Sequence, residues 1–172
     1  GRMIMESAVN ARQNRTAYYF NNNDMFTMTL QGEIAALLYK ATKQGKRLAM
    51  RLNGTSDLDW SSIYKAFPTV QFYEYTKRPD LAKKLHKISN VHITFSKHEN
   101  HSESNVKYLL DSGVNVAVVF NNQVPKEYIN ITVIDGDKHD RRFEDTQGRI
   151  IGLKLKGTNK VKALAIESGF AV

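Results

Sequence analysis

The sequence predicts an α/β fold with five or six mainly parallel strands alternating with helices, as a partial (βα) barrel or an open sheet. Two extra helices precede it. Three observations carry this expectation. Short apolar runs recur at Leu48 to Leu52, Val70 to Tyr75, Val91 to Phe95, Val114 to Phe120, Ile131 to Ile134 and Ile150 to Leu155. Amphipathic segments of crossover length separate the first four, as parallel pairing requires. The run Val114-Asn115-Val116-Ala117-Val118-Val119-Phe120 is apolar almost throughout, which suits a strand covered on both faces.

The elements follow in order. The chain starts at Gly1-Arg2 without an initiator methionine, as a scar or the trimmed start of a longer protein would. From Ile4 to Phe20, the residues Ile4, Ala8, Ala11, Arg12, Arg15 and Tyr19 recur at helical spacing. Asn21-Asn22-Asn23 breaks that helix. Asp24 is the expected cap of a second one, with Phe26, Leu30, Ile34, Leu37, Leu38 and Ala41 as its apolar stripe and Gly45 as its stop. Further helices are expected at Trp60 to Phe67, at Asp80 to Ile88 and at Ser102 to Ser112, the last closed by Gly113. Pro125 marks a loop, Arg141 to Arg149 reads as a turn, and the tail after Gly157 reads as irregular.

At 172 residues the chain suits a single α/β domain, 1–172, with a core of its own. No apolar run approaches the ~20 residues of a membrane span, and no signal peptide is visible, so a soluble, cytoplasmic protein is expected. Cysteine is absent, which excludes disulfides, thiol catalysis and cysteine-held zinc or iron–sulfur clusters within this chain. The formal charge of +8 favours an acidic partner, a nucleic acid or a nucleotide.

Ligands of parallel α/β folds bind beyond the carboxyl ends of the strands. The first such end, Arg51-Leu52-Asn53-Gly54-Thr55-Ser56-Asp57, combines an amide, two hydroxyls, a glycine for close backbone approach and a carboxylate that can also cap the next helix. The other ends supply Glu74, Thr76 and Lys77, then Ser96 and Lys97, then Asp135 and Asp137, then Lys154. All are expected ligand-binding residues, with Asn53 to Asp57 facing Asp135 to Asp140. A charge inside a strand is costly to bury alone, so Arg51 and Glu74 are expected to form a salt bridge beneath the polar mouth.

Other constellations are weaker. His92, His98, His101 and Glu99 fit no standard zinc spacing. Asp135, Asp137 and Asp140 suit either turn chemistry or a magnesium ion near a phosphate. Gly-Thr-Ser-Asp is not a Walker loop, and Ser56 has no recognisable triad. Two basic stretches, Lys77, Arg78, Lys83 and Lys84 with Lys87, and Lys154, Lys156, Lys160 and Lys162 with Arg149, would form a salt-sensitive nucleic-acid surface if they shared one side. Tyr18, Tyr19, Phe72, Tyr73 and Tyr75 read as core rather than as base-stacking platforms.

The succession Ala11-Arg12 to Thr16, Arg51 to Trp60, Phe72-Tyr73-Glu74-Tyr75-Thr76-Lys77, His92 to Ser96, Asn115 to Phe120, Asp135-Gly136-Asp137 and Ile151-Gly152-Leu153-Lys154 resembles the phage-encoded gene-product-eighty-eight family over nearly the whole chain. The resemblance implies a phage or mobile-element protein and brings no established activity. It also implies a cysteine-bearing segment upstream of the position of Gly1. Cysteines ahead of six strand–helix units are similar to the layout of a radical S-adenosylmethionine barrel.

Three functions are therefore expected alternatives. The first is an accessory protein that binds a phosphate-rich ligand at the polar strand ends. The second is an enzyme, either a radical S-adenosylmethionine-like barrel without its cluster segment or a magnesium-dependent phosphodiesterase using Asp57, Asp135 and Asp137. The third is a protein-binding scaffold.

Overall fold

A computed structural model describes residues Met5 to Val172; Ile4, where the first helix was expected to begin, and the Gly1-Arg2 start lie outside the described residues. These fall into two compact units, one ending at Leu48 and one running Ala49–Val172. The first unit is two helices, α1 (Glu6–Asn21) and α2 (Asn23–Lys43). Tyr18 and Tyr19 both set their rings edge-on to Phe26, at 5.4 and 5.5 Å between centroids. The N-cap of α2 is Asn22 rather than Asp24, which sits inside the first turn and complements the helix dipole there. Gly45 at φ 63 ends α2, and the Lys46 N–H bonds the Ala41 carbonyl at 2.9 Å, a left-handed closure that glycine adopts without strain.

The second unit holds β1 (Ala49–Met50), α3 (Ser61–Ala66), β2 (Gln71–Thr76), α4 (Pro79–Leu85), β3 (Val91–Ser96), α5 (Glu103–Asp111), β4 (Asn115–Phe120), β5 (Glu127–Tyr128), β6 (Ile131–Asp135), β7 (Ile150–Lys154) and α6 (Asn159–Glu167). Seven strands form one open sheet in the order β1-β2-β3-β4-β7-β6-β5. Every pairing is parallel except β5 with β6. The α/β class, the parallel sheet and the alternation with helices are thus as the sequence predicts, and of the two architectures the open sheet is the one found.

Three elements differ. The additional strand, β5, is joined to β6 through Ile129 and Asn130 at φ 48 and 62. That is type I′ geometry, and an isoleucine at the position that favours Asn or Gly gives no turn signal. The tail after Gly157 forms α6, whose Thr158 hydroxyl accepts the Val161 N–H at 3.4 Å. β1 is only two residues long, because it pairs on one side alone and leaves the sheet at Arg51.

Register divides the sheet residues between two faces. Phe72, Glu74 and Thr76 are buried along β2 and alternate with Tyr73 and Tyr75. Tyr64 of α3 covers the first set, its ring 4.8 Å from that of Phe72. A 3-10 turn at Arg142–Glu144 covers the second, with Phe143 5.5 Å from Tyr73. Tyr75 pairs with Thr94, Thr94 with Asn115, and further along Ala117 pairs with Ile151 and Val119 with Leu153, so these residues share the face of the 3-10 turn. Arg142 in that turn is fully buried, 3.3 Å from Asp145 and bonded to His139. The sequence marks it only as part of a turn, with no sign of this burial.

Candidate functional site: a cleft at the strand ends

The carboxyl ends of β1, β2, β3, β6 and β7 open onto a single cleft of about 630 Å³, a volume suited to a small-molecule ligand. In a flat sheet β1 and β6 would lie about 24 Å apart at ~4.8 Å per strand. Residues from both line this one cavity, so the sheet curls strongly without closing.

The rim begins with Asn53, which is buried and satisfied on every side. Its Oδ1 accepts the Ser56 hydroxyl at 2.8 Å, the Leu58 N–H at 3.1 Å and the Trp60 indole N–H at 3.1 Å, and its Nδ2 donates to the Leu58 carbonyl at 2.9 Å. Glu74 grips the chain from beneath: its carboxylate accepts the Leu52 N–H at 2.7 Å, the Asn53 N–H at 3.0 Å and the Tyr64 hydroxyl at 3.0 Å. Burial raises the Glu74 pKa above the ordinary glutamate value, and these bonds together with the Arg51 charge offset part of that rise. The loop's far end is pinned where Asp57 Oδ2 accepts the Lys77 N–H at 2.9 Å. Helix entry is served by Asp59, not Asp57: Asp59 Oδ1 accepts the Ser61 N–H at 3.0 Å. A Cβ at Gly54 would meet nothing within 4 Å, so the backbone there is open to approach.

The expected Arg51–Glu74 salt bridge is not formed. Continued past Met50 and Phe72, the β1–β2 register puts Arg51 beside Tyr73 and Leu52 beside Glu74; a shift of one residue sends side chains to opposite faces. The Arg51 guanidinium instead lies 4.7 Å above the Tyr75 ring centroid, with Nε donating to the Asn53 carbonyl at 3.2 Å. Lys77 stands 5.9 Å from the Phe170 ring. Both cations line the cleft, and among the described residues neither forms an ion pair with a carboxylate.

Of the residues singled out from the sequence, Arg51, Asn53, Gly54, Thr55, Ser56, Asp57, Thr76, Lys77, Ser96 and Asp137 line this cleft, and Glu74, Lys97, Asp135 and Lys154 do not. Register accounts for these four, although Thr76, which shares the face of Glu74, lines the cleft from the last position of β2. Glu74 pairs with Ile93, Asp135 with Gly152 and Lys154 with Phe120, and Lys97 follows Ser96; each alternates onto the face away from the cleft. Gly136 and Asp140, within the expected wall Asp135 to Asp140, line it too, and Tyr75 and Leu153 were missed and do line it. Tyr75 and Leu153 are the in-facing neighbours of Glu74 and Lys154, so counting by two finds them. Tyr75, expected in the core, is only half-buried, and burial pushes its hydroxyl up to about 12.

The opposite wall is acidic but partly occupied. Asp137 Oδ1 meets Lys156 Nζ at 2.6 Å, and its Oδ2 accepts the Lys154 N–H at 2.9 Å. Asp135 Oδ1 accepts the Asp137 N–H at 3.1 Å. The expected magnesium set of Asp57, Asp135 and Asp137 is not assembled: among the described residues no three His, Cys, Asp or Glu side chains are grouped to hold a metal ion. His98 and His101 do meet, their rings 3.8 Å apart, with Phe95 edge-on to His101 at 4.8 Å.

The basic stretches are less free than their sequence context implies, because distant segments supply acids to Lys84 and Lys156 and the neighbouring Asp80 takes Arg78. Lys84 pairs with Asp59 at 2.5 Å, Arg78 with Asp80 at 2.9 Å, and Lys156 with Asp137. Lys83 lies over the Tyr108 ring at 4.4 Å. Lys154, Lys160 and Lys162 form no ion pair among the described residues.

A family model described as Gene product 88 matches residues 1–172. The chain belongs to the gene product 88 family. No curated protein and no solved structure matches it. For this gene product 88 protein the cleft therefore has to be read from its own chemistry. No helix among the described residues is long and apolar enough to cross a membrane.

Proposed function

We propose that this gene product 88 protein is a phage accessory protein that binds a phosphate-rich ligand, a nucleotide or a nucleic-acid end, at the strand-end cleft, in the cytoplasm of the bacterial host. One observation carries the reading: Arg51 and Lys77 line the same cavity, and among the described residues neither side chain forms an ion pair with a carboxylate. A cation left unpaired beside its own acids has its donors available to an incoming anion, and charge-assisted bonds to phosphate are among the strongest a protein makes. Gly54 leaves its backbone approachable between them. Behind Gly136 lies the buried Arg142 guanidinium, its Nε 3.3 Å from Asp145 and its Nη1 unbonded.

The cleft, rather than the outer lysines, is the preferred location. Arg78, Lys84 and Lys156 already have acidic partners, whereas among the described residues the Arg51 and Lys77 side chains have none. A thermal-denaturation panel tests this, since a ligand selective for the folded state raises its melting temperature. Nucleoside mono- and diphosphates, pyrophosphate and short single-stranded oligonucleotides should stabilise the protein at low salt and less at high salt. The Arg51→Ala and Lys77→Ala variants should each lose about tenfold in affinity. Absence of any shift at low ionic strength would remove the proposal.

A further inference from the structure

Resting on that reading, we infer that the cleft takes one nucleotide unit and selects guanine, with the base stacked on the Arg51 guanidinium, the phosphate at Lys77 and the base's donor edge at Asp140.

The charge pattern sets the size of the ligand. Arg51 and Lys77 share the cavity with Asp57, Asp137 and Asp140. Two cations suit a single phosphate or diphosphate, and three carboxylates oppose a continuous phosphate backbone. The cavity of about 630 Å³ likewise has room for one nucleotide and not for a duplex.

The stack sets where the base goes. The Arg51 guanidinium is backed by the Tyr75 ring, 4.7 Å from its centroid, and tethered by its Nε, which donates to the Asn53 carbonyl at 3.2 Å. Arg51 is exposed, so its other face is open to the cleft. A fixed guanidinium plane is a stacking surface for an unpaired base.

The acidic wall sets which base. Asp137 has both oxygens engaged, by Lys156 and by the Lys154 N–H. Asp140 lines the cleft, its side chain is bonded to no described residue, and its charge bears on the Tyr75 hydroxyl. An ionised carboxylate only accepts hydrogen bonds. Guanine offers it two adjacent donors, N1–H and the exocyclic amine. Uracil and thymine present carbonyl oxygens flanking their one donor, and adenine and cytosine set a ring acceptor beside their amine, so each brings a lone pair against the carboxylate. A polar pairing left unmade in this way is what gives a site its discrimination.

The test is calorimetric titration of the full chain with GMP, AMP, CMP and UMP at low salt. GMP should bind at least about tenfold tighter than the others, the size of one well-placed paired contact. Asp140→Asn should bring the four affinities to within about threefold while leaving the circular dichroism and melting temperature unchanged, because the side chain is exposed. Arg51→Met should weaken all four together. Equal affinities in the unaltered protein, or a guanine preference that survives Asp140→Asn, would overturn this inference and leave nucleotide binding standing. Failure of all four to bind would overturn this inference, and the broader reading falls with it when diphosphates, pyrophosphate and the oligonucleotides also give no thermal shift.

Discussion

Asn53 and Glu74, 21 residues apart, are joined by the Asn53 backbone N–H donating to Glu74 Oε2 at 3.0 Å. This bond attaches the polar loop to the sheet, since the same carboxylate also takes the Leu52 N–H and the Tyr64 hydroxyl. Replacing Glu74 by alanine strands two backbone donors and a phenol away from water. We expect Glu74→Ala to cost about 3 kcal/mol or more, read by urea unfolding, and Glu74→Gln to cost less, because one amide oxygen still accepts.

The pH dependence of that grip has a definite sign. Burial raises the Glu74 pKa in the folded protein, so its contribution to stability is full below the ordinary glutamate value and declines as pH rises through the folded one. His92 behaves oppositely. Burial, with His86 and Arg142 nearby, lowers it from 6.5 to about 4, and it sits as a neutral ring against the Asn115 amide at 3.3 Å. Its contribution is full above 6.5 and is lost as pH falls toward 4. Denaturant unfolding of the protein and of His92→Gln between about pH 7 and pH 4 should differ by roughly 3 kcal/mol in their acid-side decline. Parallel declines would contradict the buried neutral state.

Gly152 tests the packing of the face away from the cleft. A Cβ there would lie 2.3 Å from Val124 Cγ1 and 2.7 Å from Val133 Cγ1. Overpacking of this kind costs about 1 to 3 kcal/mol, so Gly152→Ala should lower the melting temperature while leaving ligand affinity intact. Gly54→Ala, with nothing within 4 Å, should leave stability unchanged.

Much of this was legible in the residues. Six of the seven strands and the first five helices announce themselves through apolar period and glycine stops. The hidden elements each lack a local signal: the β5–β6 turn carries Ile129 at φ 48, and α6 has no buried residue to mark a stripe. At the cleft the sequence located the loops, because polar residues cluster after each strand. It did not assign the faces, because Arg51, Glu74, Asp135 and Lys154 were chosen by polarity and their direction depends on register. Ion pairing was hidden for another reason: Asp59 and Asp137 reach lysines 25 and 19 residues away, far outside any local charge count.

The central claim is that the strand-end cleft is where a phosphate-bearing ligand binds. Backbone amide NMR of the full chain, titrated with a nucleoside monophosphate, tests it most directly. The account predicts the largest shifts at Gly54, Lys77 and Gly136, abolished in the Arg51→Ala/Lys77→Ala double variant. Shifts confined to Lys160, Lys162 and their neighbours, with those three amides unmoved, would contradict it.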